Sequence, residues 1–201
     1  MQPAKPFSNS CEKNKEPILS VLKDLFNEAG LVLEIGSGTG QHAIYFADKL
    51  PHLNWAPTDL EDKITGIKMW LNEAAIDRIE QPRILDLLSN DWPIDVADYV
   101  FTANTTHYVS WAHIEAMFKG VGKVLADGGI FAQYGPFNYG GKFTSESNAR
   151  FDTHLKASDP SRGIKNFEDL NELAQCNGLK LLQDHPMPSN NRILAWSKSN
   201  P

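Results

Sequence analysis

Cysteine is nearly missing from this chain. Cys11 and Cys176 are the only two in 201 residues. Two thiols so far apart suggest neither a disulfide framework nor a zinc cluster, and both are expected free in a reducing, cytoplasmic compartment. Long apolar runs are missing too. None approaches the ~18 residues that a membrane-spanning helix needs, and Met1 to Asn14 lack the apolar stretch of a secretory leader. Basic clusters are also absent: the 19 Lys and Arg are scattered, and 25 Asp and Glu leave a net charge of -6. Gripping a phosphate backbone takes clustered cations, so nucleic acid is not an expected partner, whereas a small molecule or a protein side chain is. No G-x-S-x-G, no H-E-x-x-H and no Cys/His ligand spacing occurs, so neither a nucleophile elbow nor a metal is expected. There is no repeat, linker or low-complexity segment, and residues 1–201 are read as a single domain.

What stands out is Leu31-Val32-Leu33-Glu34-Ile35-Gly36-Ser37-Gly38-Thr39-Gly40. A short apolar strand runs into a turn with alternating glycines, the arrangement by which α/β folds bring backbone close to a nucleotide-like ligand. A dinucleotide site wants Gly or Ala at the sixth position of G-x-G-x-x-G/A, and Gln41 stands there. A nicotinamide oxidoreductase is disfavoured for that reason.

The periodicities around this turn alternate. Helical spacing is expected over Lys15 to Glu28, Gln41 to Leu50, Glu61 to Ala75, Ala112 to Leu125 and Asn166 to Cys176. Strands are expected at Leu31 to Ile35, Leu53 to Thr58, Arg83 to Leu85, Ala97 to Ala103 and Ile130 to Tyr134. Two more, Leu179 to Asp184 and Arg192 to Ser197, read as an antiparallel hairpin. Asp127-Gly128-Gly129 reads as a turn and Gly135 to Ser147 as an active-site loop. Strands alternating with helices give a parallel sheet with right-handed crossovers. The expected fold class is therefore α/β, a doubly wound, mostly parallel seven-stranded sheet ending in an antiparallel hairpin.

An acid two residues ahead of G-x-G-x-G resembles motif I of the class I S-adenosylmethionine (SAM)-dependent methyltransferases. Asn14-Lys15-Glu16-Pro17-Ile18-Leu19, Gly40-Gln41-His42-Ala43, Tyr134-Gly135-Pro136-Phe137 and Ser147-Asn148-Ala149-Arg150-Phe151-Asp152 resemble an uncharacterised methyltransferase-like family, once a domain of unknown function. The resemblance covers nearly the whole chain. It implies the Rossmann-like methyltransferase fold, SAM as cofactor with S-adenosylhomocysteine as product, and no metal. It brings no substrate with it. Asp159 to Ile164 carries Ser-Arg where the family more often has a Trp nearby, and Thr105-Thr106 is more polar than the usual pair; both bear on the acceptor side.

In a doubly wound sheet the ligand sits at the carboxyl ends of the strands, and polar residues recur there. Gly36, Ser37, Gly38 and Gly40 are expected beside the methionine part and ribose, with Glu34 orienting the cofactor amino group directly or through water. Asp59, with Leu60 beside it, is expected at the cofactor, where Asp59 accepts from the ribose hydroxyls or caps the helix that starts at Leu60. Asp86 is expected at the adenine amine, with Leu87 against the ring, or as a solvated turn residue. Asn104 is expected at the amino or carboxyl group. Asn14 and Lys15 lie in an arm, residues 1–14 and onward, that closes over the cofactor, with Lys15 on its carboxylate.

His107 is the candidate catalytic residue, either a general base or a structural anchor of its loop. The candidate acceptor wall is Tyr134, Phe137, Asn138 and Arg150, the last to pair with a carboxylate. Tyr139, Asp152, His154 and Trp111 are further candidates. Methyl transfer is an in-line displacement from an already activated donor, so alignment and desolvation supply most of the catalysis. The expected function is methylation of a small molecule; a non-catalytic SAM-binding module and a protein methyltransferase are the alternatives.

Overall fold

The computed structural model describes residues 4–199. In chain order its elements begin with α1 (Asn9–Leu25), β1 (Gly30–Ile35), α2 (Gln41–Lys49), β2 (Leu53–Asp59), α3 (Glu61–Ala74) and β3 (Arg83–Ile84). They continue with β4 (Ala97–Ala103), α4 (Trp111–Val124), β5 (Leu125–Gly135), α5 (Glu146–Ser158), α6 (Phe167–Cys176), β6 (Leu179–Met187) and β7 (Asn191–Lys198). The strands form one sheet in the order β3-β2-β1-β4-β5-β7-β6. β1 to β5 run parallel, β7 is antiparallel to β5, and β6 to β7. The chain reverses its winding between β1 and β4, which are hydrogen-bonded neighbours. A crevice opens at such a switch point because the following loops leave in opposite directions.

Alternation along β1 divides the core. Val32 joins the cluster of Ile18 and Leu22 from α1 and Phe46 from α2, whereas Leu33 joins Phe118 from α4 and Leu170 from α6. Successive strand residues point to opposite faces, so a strand apolar at both positions is covered on both sides. Each fully buried Leu or Phe contributes about 2–3 kcal/mol. Among the described residues no helix is long and apolar enough to cross a membrane.

Three elements depart from the sequence reading. α1 starts at Asn9, where the Ser8 hydroxyl accepts from the Cys11 amide at 3.3 Å as an N-cap. Pro17 thus lies inside the helix and not in its first turn, and the Lys13 carbonyl lacks its i+4 donor. The arm expected over residues 1–14 is accordingly helical from Asn9; residues 1–3 lie outside the described residues. β5 starts at Leu125, before the expected turn, but its pairing jumps from Ala97↔Leu125 to Tyr99↔Ile130. Gly128 has a φ of +77°, so the expected turn survives as an irregularity within the strand. α5 occupies ground read as loop and beyond. Its sequence is polar, with Leu155 the one large apolar side chain it buries, too little for a helical stripe.

Candidate functional site

A cavity of about 700 Å³ lies at the carboxyl ends of β1 and β4, within the usual range for small-molecule sites. The loop after β1 supplies Gly36, Ser37, Gly38 and Thr39, and the loop after β4 supplies Asn104, His107 and Tyr108. α1 covers one side with Cys11, Lys13 and Asn14. Tyr134, α5 and the turn between β6 and β7 close the other.

The loop after β1 is locked from behind. Glu34 is 2 % exposed and does not reach the cavity. Its Oε2 accepts from the Ser37 hydroxyl at 2.8 Å and from the Trp55 indole at 3.0 Å. Burial pushes the carboxyl up to about 7 despite those two bonds. Glu34 therefore holds Ser37 from behind, which leaves no direct reach into the cavity for the expected contact with a cofactor amino group. The Ser37 amide also donates to the Thr58 carbonyl at 2.9 Å.

Two glycines take different tasks. Gly36 has a φ of +71°, and a Cβ there would stand 2.7 Å from the Thr105 hydroxyl, so the loops after β1 and β4 touch through it. Gly38 has a φ of +60° and would meet nothing within 4 Å, which leaves bare backbone facing open space. Gly40 lies outside the cavity, where it precedes α2 and packs on Ile67.

Asp59 ends β2 and takes the Gly38 amide on Oδ2 at 2.6 Å and the Leu60 amide on Oδ1 at 2.7 Å. Burial raises its pKa against those bonds. Asp86 is exposed and accepts from the Leu88 amide at 3.0 Å. Leu87 is buried in the core, which corrects its expected place on a ring face. Leu60 and Leu88 are the half-exposed apolar side chains beside these aspartates.

His107 is 3 % exposed and lines the cavity. Its loop is pinned where the Gly163 amide donates to the His107 carbonyl at 3.0 Å. The Tyr108 and Phe151 rings flank the imidazole at 4.6 and 5.2 Å. Burial, and the nearby Lys165 ammonium, push its pKa down to about 4, so the ring is neutral at pH 7. Asn104 holds a φ of +59°, a conformation Asn tolerates better than most residues and one often found at functional sites. His42 donates from Nε2 to the Asn14 Oδ1 at 2.7 Å, and burial takes it down to about 4 as well. Burial raises the Tyr134 hydroxyl, which the Asn14 and Asn191 side chains offset by hydrogen bonding.

Of the expected residues, Asn14, Gly36, Ser37 and Gly38 meet Asn104, His107 and Tyr134 around this one cavity. Lys15 does not join them: it pairs with Glu12 and lies over the Tyr45 ring. Phe137 is in the core. Asn138 bridges backbone, donating its amide to the Lys165 carbonyl at 2.9 Å. Arg150 points outward on α5, 3.7 Å from Glu146, so the expected carboxylate clamp is absent. Tyr139 donates to Asp184 at 2.8 Å, and Asp152 accepts from the Ile164 amide at 2.8 Å. Trp111 and the exposed His154 lie off the cavity. Cys11, His42, Asn148, Phe151 and Asn191 were missed. Ser8 as the cap of α1 was the available signal for Cys11; the others depend on long-range packing.

A family model described as "Protein of unknown function (DUF938)" matches residues 5–198. The chain belongs to that family. The DUF938 chain also superposes on an O-methyltransferase family protein from Burkholderia thailandensis with a TM-score of 0.83, at 15% identity over 96% of this chain and 58% of that one. The S-adenosylmethionine-dependent methyltransferase SibL gives 0.80, at 17% identity over 95% and 56%. PigF, solved with SAH, gives 0.77, at 17% identity over 94% and 63%. The DUF938 chain spans less than two thirds of each of these proteins. The shared property is the class I methyltransferase fold, as the strand order and closing hairpin require.

Proposed function

We propose that the chain binds S-adenosylmethionine and methylates a small-molecule acceptor. The observation that carries this is the convergence of bare backbone at Gly38 with Asn104 and His107 on one cavity at the β1/β4 switch point. The residues fit the cofactor. A Cβ at position 38 would fill open space beside the cavity, and the Asp59 carboxylate retains acceptor capacity for two ribose hydroxyls after taking two amides. Leu60 and Leu88 offer apolar surface for a purine near Asp86. Asn104 and Asn14 stand at the end suited to the amino-acid portion. SAM, when bound, supplies a methyl group on a sulfonium.

The chain's own part is to hold the acceptor in line with that methyl and to exclude water. α1 and α5 both contribute to the cavity wall. His107, neutral and open to the cavity, accepts the acceptor's proton or orients its nucleophilic atom.

Calorimetric titration with S-adenosylhomocysteine, with NAD⁺ as control, tests this. Micromolar binding of the former alone, weakened at least tenfold by Asp59→Ala, is expected. A folded protein that ignores S-adenosylhomocysteine refutes the assignment. Binding without methylation of any acceptor from labelled SAM would favour a non-catalytic SAM-binding module.

A further inference from the structure

A second cavity, of about 440 Å³, adjoins the first at the turn that joins β6 to β7. Pro188, Ser189 and Asn191 line the first, and Met187, Asn190, Asn191 and Arg192 line the second. Asn191 belongs to both. Resting on the reading above, we infer that the methyl acceptor carries a carboxylate as its anchor, and that Arg192 in this second cavity binds it.

Among the described residues Arg192 is the one charged side chain that lines the second cavity. Its guanidinium is held in place from behind. Nε donates to Asp184 Oδ1 at 2.7 Å, and Nη2 donates to the Asp184 carbonyl at 3.2 Å. The guanidinium also faces the Tyr139 ring, 5.7 Å from its centroid. That ring is fixed in turn, stacked on Phe167 at 5.3 Å and donating its hydroxyl to Asp184 Oδ2 at 2.8 Å. A guanidinium carries five N–H groups. Those of Nη1 and the second of Nη2 have no partner among the described residues. A planar fork already oriented loses little freedom on taking a carboxylate.

Asp184 offsets much of the positive charge, so recognition here rests on directed N–H groups and not on a bare cation. Both of its carboxylate oxygens are occupied by Tyr139 and Arg192. The Thr144 hydroxyl, also in the lining, accepts from the Asn148 amide at 2.9 Å and keeps its own hydrogen to donate. The turn between the cavities has a set shape. Ser189 and Asn190 both hold φ near +60°, and the Asn148 amide donates to the Asn190 carbonyl at 3.2 Å.

This anchor stands close to the candidate catalytic residue. Arg192 on β7 lies opposite Gly135 on β5. Opposite residues of an antiparallel pair project to the same face, with Cβ positions about 4.5–5.5 Å apart. The His107 Nδ1 lies 3.7 Å from where a Gly135 Cβ would stand, and the Phe137 ring is the other neighbour of that point, at 4.0 Å. Gly135 has no side chain, so His107 and Arg192 flank bare backbone. A molecule whose body sits beside His107 therefore reaches Arg192 through a short arm.

The test titrates the full chain with 3-phenylpropanoate, 3-phenylpropanamide and propanoate, with and without saturating S-adenosylhomocysteine. 3-Phenylpropanoate is expected to bind at least tenfold more tightly than either other probe. Arg192→Gln is expected to cut its preference over the amide below threefold. Arg192→Gln combined with Asp184→Asn, which leaves no carboxylate without its cation, is the second variant and is expected to do the same. Equal binding of acid and amide, an undiminished preference in these variants, propanoate binding as tight as that of 3-phenylpropanoate, or no measurable 3-phenylpropanoate binding overturns the inference. Failure of S-adenosylhomocysteine to bind strikes the cofactor reading instead, and the titrations without it still decide the carboxylate site.

Discussion

The Ser8 backbone amide donates to the Gln41 Oε1 at 2.6 Å, which ties the start of α1 to the first residue of α2. The Gln41 Nε2 donates onward to Glu12 at 2.7 Å, and the Thr39 hydroxyl donates to the same Oε1 at 2.9 Å. The side chain that departs from the dinucleotide pattern is therefore the clasp that holds α1 over the glycine turn.

Gln41→Ala should release that clasp. Hydrogen bonds of this kind contribute about 0.5–1.5 kcal/mol each, and one or two net losses weaken S-adenosylhomocysteine binding about tenfold. Calorimetry reads the affinity, and amide exchange should quicken over Ser8 to Asn14 while β1 stays protected. An unchanged exchange pattern in α1 would show that other contacts hold it.

Glu34 gives the stability a pH dependence of definite sign. Its folded pKa lies above the ordinary value, at about 7, so the native state holds the proton more tightly than the unfolded chain. The stabilisation is complete below about pH 4.5 and is lost as pH rises through 7. Glu34→Gln keeps an acceptor for Ser37 and Trp55 and removes the titration. Between pH 5 and 8 the wild type should lose up to about 3 kcal/mol relative to this variant, read as the difference in denaturant midpoints. His42 and His107 are common to both proteins and cancel. A pH-independent difference would refute the buried-proton account.

Gly36→Ala should damage the junction of the two loops. The new Cβ meets the Thr105 hydroxyl at 2.7 Å and sits at positive φ. A loss of about 1–3 kcal/mol is expected. Adding Thr105→Ala should recover the steric part and leave the backbone part. A double-mutant cycle with no coupling would mean that the loops part easily.

His107→Ala should leave S-adenosylhomocysteine affinity within threefold and lower methyl transfer 10²–10⁴-fold if the ring is the base. The wild-type rate should show no loss from imidazole protonation until the pH falls toward 4, because that is where burial places the titration. A rate that falls on protonation of a group near 6.5 would point to an exposed histidine.

Much of this architecture is legible in the sequence, because it depends on local patterns. Apolar periodicity marks strands and helices, glycine marks the turn after β1, and β–α alternation places the carboxyl ends of the parallel strands β1 to β5 on one edge. Gly36, Gly38, Asn104 and His107 line one cavity for that reason. Whether a strand-end residue faces the ligand or lies behind the loop is not a local property. Glu34 and Leu87 turned inward because Ser37, Trp55 and the core offered them partners. Phe137 and Asn138 were drawn into packing and bridging by the segment around Ile164 and Phe167, far along the chain. The rim of the cavity formed by α5 and the turn before β7 depended most on tertiary structure. Asn148 and Asn190 meet only because β7 inserts antiparallel beside β5 and carries the preceding turn over the start of α5. Contacts 42 residues apart leave no periodicity to read. The sequence alone determined the fold and the place of the site, and long-range packing decided which side chains reach the cavity.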